Sequence, residues 1–354
     1  MGTMIDLMKK YALAAVCLAA LLAAGCGDRG PKEEKALKIG FSLPSSRETR
    51  WARDLEEMRA QADAIGVQLL TAVADNDAGQ QLKQCDGLLA NGVSVLIVAP
   101  QNGKAAGEIA RRAGKAGVRV IAYDRMILGA PVDLYVSFDN RKVGQLQARA
   151  LADRAPRGNY ILLSGAPTDT NSAALRRGAL DVLEPLAARG DIKIVMDQPV
   201  KDWLPAEAQR LAAEALLQNS GNIQAVLAPN DTTAGAVIKA LEIYQLAGKV
   251  PVSGQDAEAA AARRILSGTQ TMTVFKDPRQ QAAAAFGAAM SLASGGSVPE
   301  ATYVLSGNYK IPALLLGPQA IYADNVNHAL VASGFLRQSD LREKRPETAG
   351  AGAR

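Results

Sequence analysis

A chain of 354 residues is longer than one hydrophobic core serves, so two lobes are expected, and its hydrophobic share of 48% is ordinary for globular proteins. The formal net charge is +5, from 40 Lys and Arg scattered among 35 Asp and Glu. With no basic block beside an aromatic strand, that excess argues against a nucleic-acid partner, and the single histidine, His328, argues against a His-rich metal site or a Ser-His-Asp centre.

The chain opens on an address. Lys9 and Lys10 precede an apolar run from Tyr11 to Ala24, the layout of a secretory signal and too short for a comfortable membrane span. The run ends in Leu22-Ala23-Ala24-Gly25-Cys26, which resembles a bacterial lipobox. Residues 1–25 then read as a lipoprotein signal peptide, with Cys26 as the lipid acceptor. Asp6 is out of place before such a signal, and Met8, directly followed by Lys9 and Lys10, is the expected initiator. Residues 26–36 read as a flexible tether and 342–354 as a disordered tail. Cys17 falls in the leader and Cys26 at its end, so Cys85 is the one ordinary cysteine. No internal disulfide is expected, and Cys85 reads as a small buried side chain on a helix.

From Leu37 onward strand and helix alternate. Leu37 to Leu43 reads as a strand, and Trp51, Leu55, Met58, Ala62 and Ile65 fall at helical spacing before a stop at Gly66. Strands follow at 67–73, 93–99 and 118–122, separated by helices that close at Asn91-Gly92 and Gly117. After Asn140 the rhythm restarts, with strands expected at 160–164, 192–196, 225–228, 250–253 and 271–275. Continuous apolar strands between helices imply parallel sheets covered on both faces. The predicted class is α/β, two doubly wound lobes with Rossmann-like sheets.

In open α/β sheets, ligands sit beyond the carboxyl ends of the strands. The residues there are Arg47, Arg50 and Trp51; Gln101 and Asn102; Asp124 and Arg125; then Asp169, Asn171, Trp203, Asn230, Asp231, Gln255, Asp256 and Lys276. Both tryptophans of the chain fall in this set. Carboxylates and amides accept from sugar hydroxyls, Arg, Lys and Asn donate to them, and the C–H faces of a pyranose pack on indole. The constellation suits a neutral polyhydroxylated ring. Taken singly, Asp231 or Asn171 reads equally well as a helix cap, Trp51 as core and Arg125 as a surface ion pair.

Several stretches resemble a known family. They are Arg50-Trp51, Ala122-Tyr-Asp-Arg-Met-Ile127, Val136-Ser-Phe-Asp-Asn140, Asp169-Thr-Asn171, Trp203-Leu-Pro205, Asn230-Asp231, Ser253-Gly-Gln-Asp256, and Gly268-Thr-Gln-Thr-Met-Thr-Val274 followed by Lys276. Across 37–341 the chain resembles the periplasmic D-xylose-binding proteins of the ribose/galactose-type sugar-binding family, which have the type I periplasmic binding protein fold. The resemblance implies sugar contacts from Arg50, Asp124, Arg125, Asn171, Asn230, Asp256 and Lys276, with stacking by Trp51 and Trp203; Arg176 is a weaker candidate and Asp231 a cap or orienter. Residues 45–49 and Thr170 depart from the family pattern. The resemblance also implies a monomeric protein of the periplasm or cell surface, which the Cys26 motif would anchor by lipid. It would need no cofactor or metal, and would deliver D-xylose or a related monosaccharide to an ABC permease and its ATPase subunit. Three chain crossings, placed near 138–140, 273–276 and 305–310, would form a three-stranded hinge. They divide the chain into a first lobe of 37–139 plus 276–307 and a second of 140–275 plus 308–341.

Other classes remain at this point. A glycoside-processing enzyme could use Asp124 and Asp256 as its carboxylate pair. A chemoreceptor-type sugar sensor would have the same cleft. A repressor would carry a helix-turn-helix where the leader and tether lie, and no GxxxxGK[ST] phosphate loop is present.

Overall fold

The computed structural model describes residues 37–298 and 302–342. The expected signal peptide, Cys26, the tether and nearly all of the expected tail lie outside the described residues.

The apolar run at the start builds the edge-to-centre order of the first sheet. Strand β1 (Lys38–Leu43) leads into helix α1 (Thr49–Ile65), whose end is set by Gly66 at φ +69°. Then follow β2 (Gln68–Val73), α2 (Ala78–Ala90), β3 (Val95–Val98), α3 (Ala106–Lys115), β4 (Arg119–Tyr123) and β5 (Leu134–Phe138). Strands β1 to β5 pair in parallel in the order β5-β4-β3-β1-β2. Helix α2 starts where Asp77 accepts the Gln80 N–H at 2.9 Å. Cys85 sits on it, 1% exposed, and burial pushes its thiol up to about 11, so it is an inert core side chain.

At Asp139 the chain leaves this sheet. The second half runs α4 (Asn140–Arg154), β6 (Gly158–Ser164), α5 (Thr170–Ala188), β7 (Ile192–Pro199), α6 (Pro205–Gln218), β8 (Ala225–Leu227), α7 (Asp231–Ile243), α8 (Ala259–Leu266) and β9 (Thr273–Phe275). Its sheet has the order β7-β6-β8 and is carried on by bridges Val226↔Val252 and Gln255↔Val274. The strand expected at 250–253 is reduced to that one bridge at Val252. There the Val226 N–H donates to Pro251 O at 3.0 Å and the Ser253 N–H donates to Val226 O at 3.2 Å, while Pro251 has no N–H to extend the ladder backwards.

Helix α9 (Pro278–Ala293) goes back to the first sheet and packs Phe286 and Ala289 against Ile121, Tyr123 and Trp51. The hairpin β10 (Thr302–Ser306) and β11 (Tyr309–Leu316) turns at Gly307, φ +60°, and β11 pairs in parallel with β5 through Ala313↔Tyr135. Ile311 and Ala313 are buried in the first lobe. This corrects the expected boundaries: 309–316 belongs to the first lobe, and the third crossing falls after Leu316 rather than at 305–310. Strand β12 (Gln319–Ile321) then pairs antiparallel with β9 in the second lobe.

Each sheet has a core on both faces. In the first lobe Phe41, Ile97 and Met58 lie on one side and Leu96, Ile109 and Ile127 on the other. In the second, Ile161, Leu211 and Val237 oppose Leu162, Leu180 and Tyr160. This double covering explains why the parallel strands read as unbroken apolar runs.

Candidate functional site

The two halves present equivalent turns to the space between them. Asp124 follows β4 at φ +59°, and its N–H donates to Val136 O of β5 at 2.8 Å. Asp256 follows the 250–255 segment at φ +93°, and its N–H donates to Val274 O of β9 at 2.9 Å. In each lobe the left-handed residue bends the chain away from its strand and leaves a carboxylate facing the interior.

Around these two carboxylates lies a cleft of about 330 Å³, counted out to its mouth. All nine residues predicted from the sequence line it. Arg50 and Trp51 come from the first turn of α1, Asp124 and Arg125 from the end of β4, Asn171 from the start of α5 and Trp203 from the turn after β7. Asn230 precedes α7, Asp256 closes its loop and Lys276 follows β9. Glu48, Asp169, Leu175 and Gln255 also line it. Asp169 and Gln255 were legible as loop residues. Glu48 lies in the segment that departs from the family pattern, and its carboxylate accepts from Ser45 Oγ at 2.6 Å.

Other loop residues are placed elsewhere. Arg47 is exposed, and Arg176 is drawn into an exposed ion pair with Asp197. Gln101 is tied to Gln81 and Asn76. Both capping alternatives resolve to a residue just upstream. Asp169, not Asn171, caps α5, accepting the Asn171 N–H at 2.9 Å. Asn230, not Asp231, caps α7, accepting from Thr233 N at 3.0 Å. Its Oδ1 is thereby committed, which leaves its amide NH2 for the cleft. Asp231 is fully buried and holds the cleft loop from behind, accepting from Gln270, Thr273 and the Glu258 N–H.

Charges at the centre are paired but not exhausted. Arg50 Nη1 donates to Asp124 Oδ1 at 2.9 Å and lies 3.9 Å from Asp256 Oδ1. Lys276 Nζ is 3.6 Å from Asp124 and 3.8 Å from Asp256. Asn171 Nδ2 donates to Asp124 Oδ2 at 3.1 Å, and Tyr135 and Ser137 donate to the Asp124 carbonyl. Burial pushes the Asp124 carboxyl up, but Arg50, Lys276 and Arg125 outweigh it and hold it down at about 2. Asp169 is raised by burial despite the Arg125 guanidinium beside it.

Arg125 Nε lies 2.8 Å from Asp169 Oδ2, yet its N–H points off that oxygen, so the pair is ionic without a hydrogen bond. Four buried atoms on the cleft wall have no hydrogen-bond partner: Arg125 Nε, Trp51 Nε1, Trp203 Nε1 and Gln255 Oε1. Buried polar atoms are paired as a rule, so donors and an acceptor left free here mark a surface made for a polar occupant. Trp51 is 1% exposed and is also part of the first-lobe core, with the Arg50 and Arg125 guanidinium carbons 4.4 and 5.1 Å from its ring. Trp203, at φ +56°, packs its indole directly over Gly165. Among the described residues no group of His, Cys, Asp and Glu could hold a metal ion.

Comparison with known proteins gives the same fold. A family profile described as "Periplasmic binding protein domain" matches residues 39–297. The D-xylose-binding periplasmic protein of Escherichia coli (strain K12) is 39% identical over 307 residues, which is 87% of this chain and 93% of that one. Its namesake in Haemophilus influenzae is 40% identical, over 87% of this chain and 92% of that one. The crystal structure of a carbohydrate transporter solute-binding protein from Chloroflexus aurantiacus, in complex with D-glucose, superposes with a TM-score of 0.81 at 31% identity, covering 86% of this chain and 98% of that one. By the profile, the relatives and the two-lobed topology together, this chain belongs to the periplasmic binding protein family.

Proposed function

We propose that this protein captures a neutral monosaccharide, D-xylose before others, and presents it to the permease of an ABC importer. The observation that carries the reading is the cleft itself. Its wall alternates carboxylates, amides and cationic donors with two indoles, drawn from both lobes, and several of its buried polar atoms have no partner. Such a wall meets the hydroxyls of a pyranose as donors and acceptors and its C–H face with aromatic surface. The four carboxylates Glu48, Asp124, Asp169 and Asp256 face three cations, Arg50, Arg125 and Lys276. That balance favours a neutral sugar over a sugar acid or phosphate. D-xylose takes first place because the two relatives near 40% identity carry that sugar in their names.

A glycosidase reading fits less well. Such enzymes need one carboxyl raised to serve as proton donor. Asp124 is held near 2 and stays ionised, and Asp169, the cleft carboxyl that burial raises, lies against Arg125 and caps α5. Calorimetry of the protein with D-xylose, D-ribose, L-arabinose, D-glucose and D-galactose tests the proposal. Saturable heat with D-xylose tightest supports it; no heat with any of the five removes it.

Anchoring is the second part of the proposal. The Leu22-Ala23-Ala24-Gly25-Cys26 motif supports a diacylglyceryl thioether on Cys26, which would keep the sugar-binding lobes at a bacterial membrane surface. Metabolic labelling with a fatty acid analogue checks it: the label should appear in the native protein and vanish in Cys26→Ser.

A further inference from the structure

Behind the cleft wall lies a carboxylate that is not part of the lining but holds one residue of it. Asp54 is 0% exposed, one helical turn after Arg50 on α1, and does not line the cleft. Its two oxygens have separate partners. Oδ1 accepts from the Tyr123 hydroxyl at 2.6 Å, and Oδ2 accepts from Arg50 Nε at 3.1 Å. Tyr123 is itself fixed: it is fully buried and edge-on to Phe41, with ring centroids 5.4 Å apart. On the other edge of the guanidinium, Gln281 of α9 faces Arg50 Nη2 at 3.5 Å while donating to Val136 O at 3.1 Å.

We infer that Asp54 is a positioning residue for the sugar site, acting through Arg50; this rests on the proposed sugar-binding reading. An arginine side chain has several free torsions, and left alone it would sample many poses across the cleft. A carboxylate on its Nε selects one of them. In that pose Nη1 reaches Asp124 at 2.9 Å and lies 3.9 Å from Asp256 of the opposite lobe, so one guanidinium spans both carboxylates. Tyr123 in turn fixes the carboxylate, because its hydroxyl occupies the oxygen that Arg50 does not use. The chain Tyr123–Asp54–Arg50 thus connects the core of the first lobe to the cleft, and each link has defined donor and acceptor roles. Asparagine at 54 would break it without changing its shape: with its oxygen on Tyr123, its NH2 would confront Arg50 Nε, donor against donor.

The test uses Asp54→Asn in two measurements. Sugar affinity, read by titration with whichever aldose the native protein binds, should fall by about ten- to hundredfold, the worth of one charge-assisted hydrogen bond. In the ligand-free protein, the Arg50 Nε–Hε resonance should be a distinct, slowly exchanging peak in the native chain and move to the averaged position of mobile arginines in the variant. Affinity within twofold of native overturns the inference, as does weakened binding with the Arg50 resonance unmoved. Should Asp54→Asn fail to fold, Tyr123→Phe keeps the carboxylate and ring but removes the clamp. It should weaken binding and broaden the same resonance, and no change in either would overturn the inference. If the native protein binds none of the five aldoses, the sugar-binding reading falls, and the Arg50 resonance alone still reports whether Asp54 holds the guanidinium.

Discussion

Asp124 is where charge decides the behaviour of a single residue. Its folded carboxyl is held at about 2 against the usual 3.8, chiefly because Arg50, Lys276 and Arg125 overcome the effect of burial. A depressed acid contributes stability above its unfolded pKa and loses it as pH falls through the folded value. Asp124→Asn should therefore cost about 2 kcal/mol at pH 7, since Arg50 and Lys276 each lose one of the carboxylates they face. The gap between variant and native chain in urea unfolding should narrow as pH falls from 4 towards 2; a gap independent of pH would refute this. Trp203 has a different role. Replacing it with Ala removes stacking and burial together and should weaken sugar binding several-fold or more, while unchanged affinity would take it out of the site. Residue chemistry was the most legible layer of the sequence. The nine expected residues do gather at one cleft, because polar residues immediately after apolar strands must fall at the sheet ends. Tyr123 stood out beside Asp124 at the end of its strand, but nothing marked Asp54 as its partner. Each lies in a regular element, and only the fold brings their side chains together.

Among the elements, strands set off by helices were readable, the half-exposed edge strands β2 and β7 included, while the fully buried β5 was missed because a loop and no helix separates it from β4. Strands β1, β3 and β4 carry unbroken runs because helices cover both sides. The hairpin β10–β11 has no such signal: Tyr303 and Leu305 are 56% and 80% exposed, so its apolar residues look like surface and its strands like loop. The placement of 308–316 failed for that reason. Helix packing is another feature the sequence hides. Helices α4 and α5 approach so closely at Gly144 and Gly178 that a Cβ on either would overlap a backbone carbonyl, of Leu175 or Arg141. Helix α4 begins at the first crossing and α5 carries Asn171 in its first turn, so this contact ties the crossing to the cleft. Gly144→Ala should destabilise the fold by about 1–3 kcal/mol, the usual cost of overpacking, as read by chemical unfolding. Gly165→Ala makes a contrasting case. Its Cβ would meet the Trp203 ring and Ser172 Oγ, so the indole, which lines the cleft, must shift. Its expected mark is weaker sugar binding with a smaller change in unfolding midpoint than Gly144→Ala.

For the whole molecule, the two lobes are shut against each other in this structure. At the lip, Met126 N–H of the first lobe donates to Thr170 Oγ1 of the second at 2.8 Å, and Gly103 N–H donates to Thr168 O at 3.3 Å. Thr170 is one of the positions that depart from the family pattern, and here it supplies a contact across the cleft instead of one inside it. If sugar capture works by closure about the three crossings, the ligand acts by favouring this shut arrangement over an open one, and anything that opposes shutting must raise the apparent dissociation constant. Gly103 allows that to be tested without touching the sugar. A Cβ there would lie 2.6 Å from Thr170 Cγ2 and 2.8 Å from Met126 O, both at the lip, and Gly103 does not line the cleft. Gly103→Val should lower the unfolding midpoint somewhat with or without sugar, because Met126 O belongs to the same lobe. It should also weaken sugar binding by about tenfold, mostly through faster release, because the overlap with Thr170 is met only on closing. Small-angle scattering at saturating sugar should then show the variant more extended than the native protein, while the two match without sugar. Equal affinity and equal scattering would mean that the lip contact forms independently of ligand, and that the cleft binds its sugar without the lobes moving.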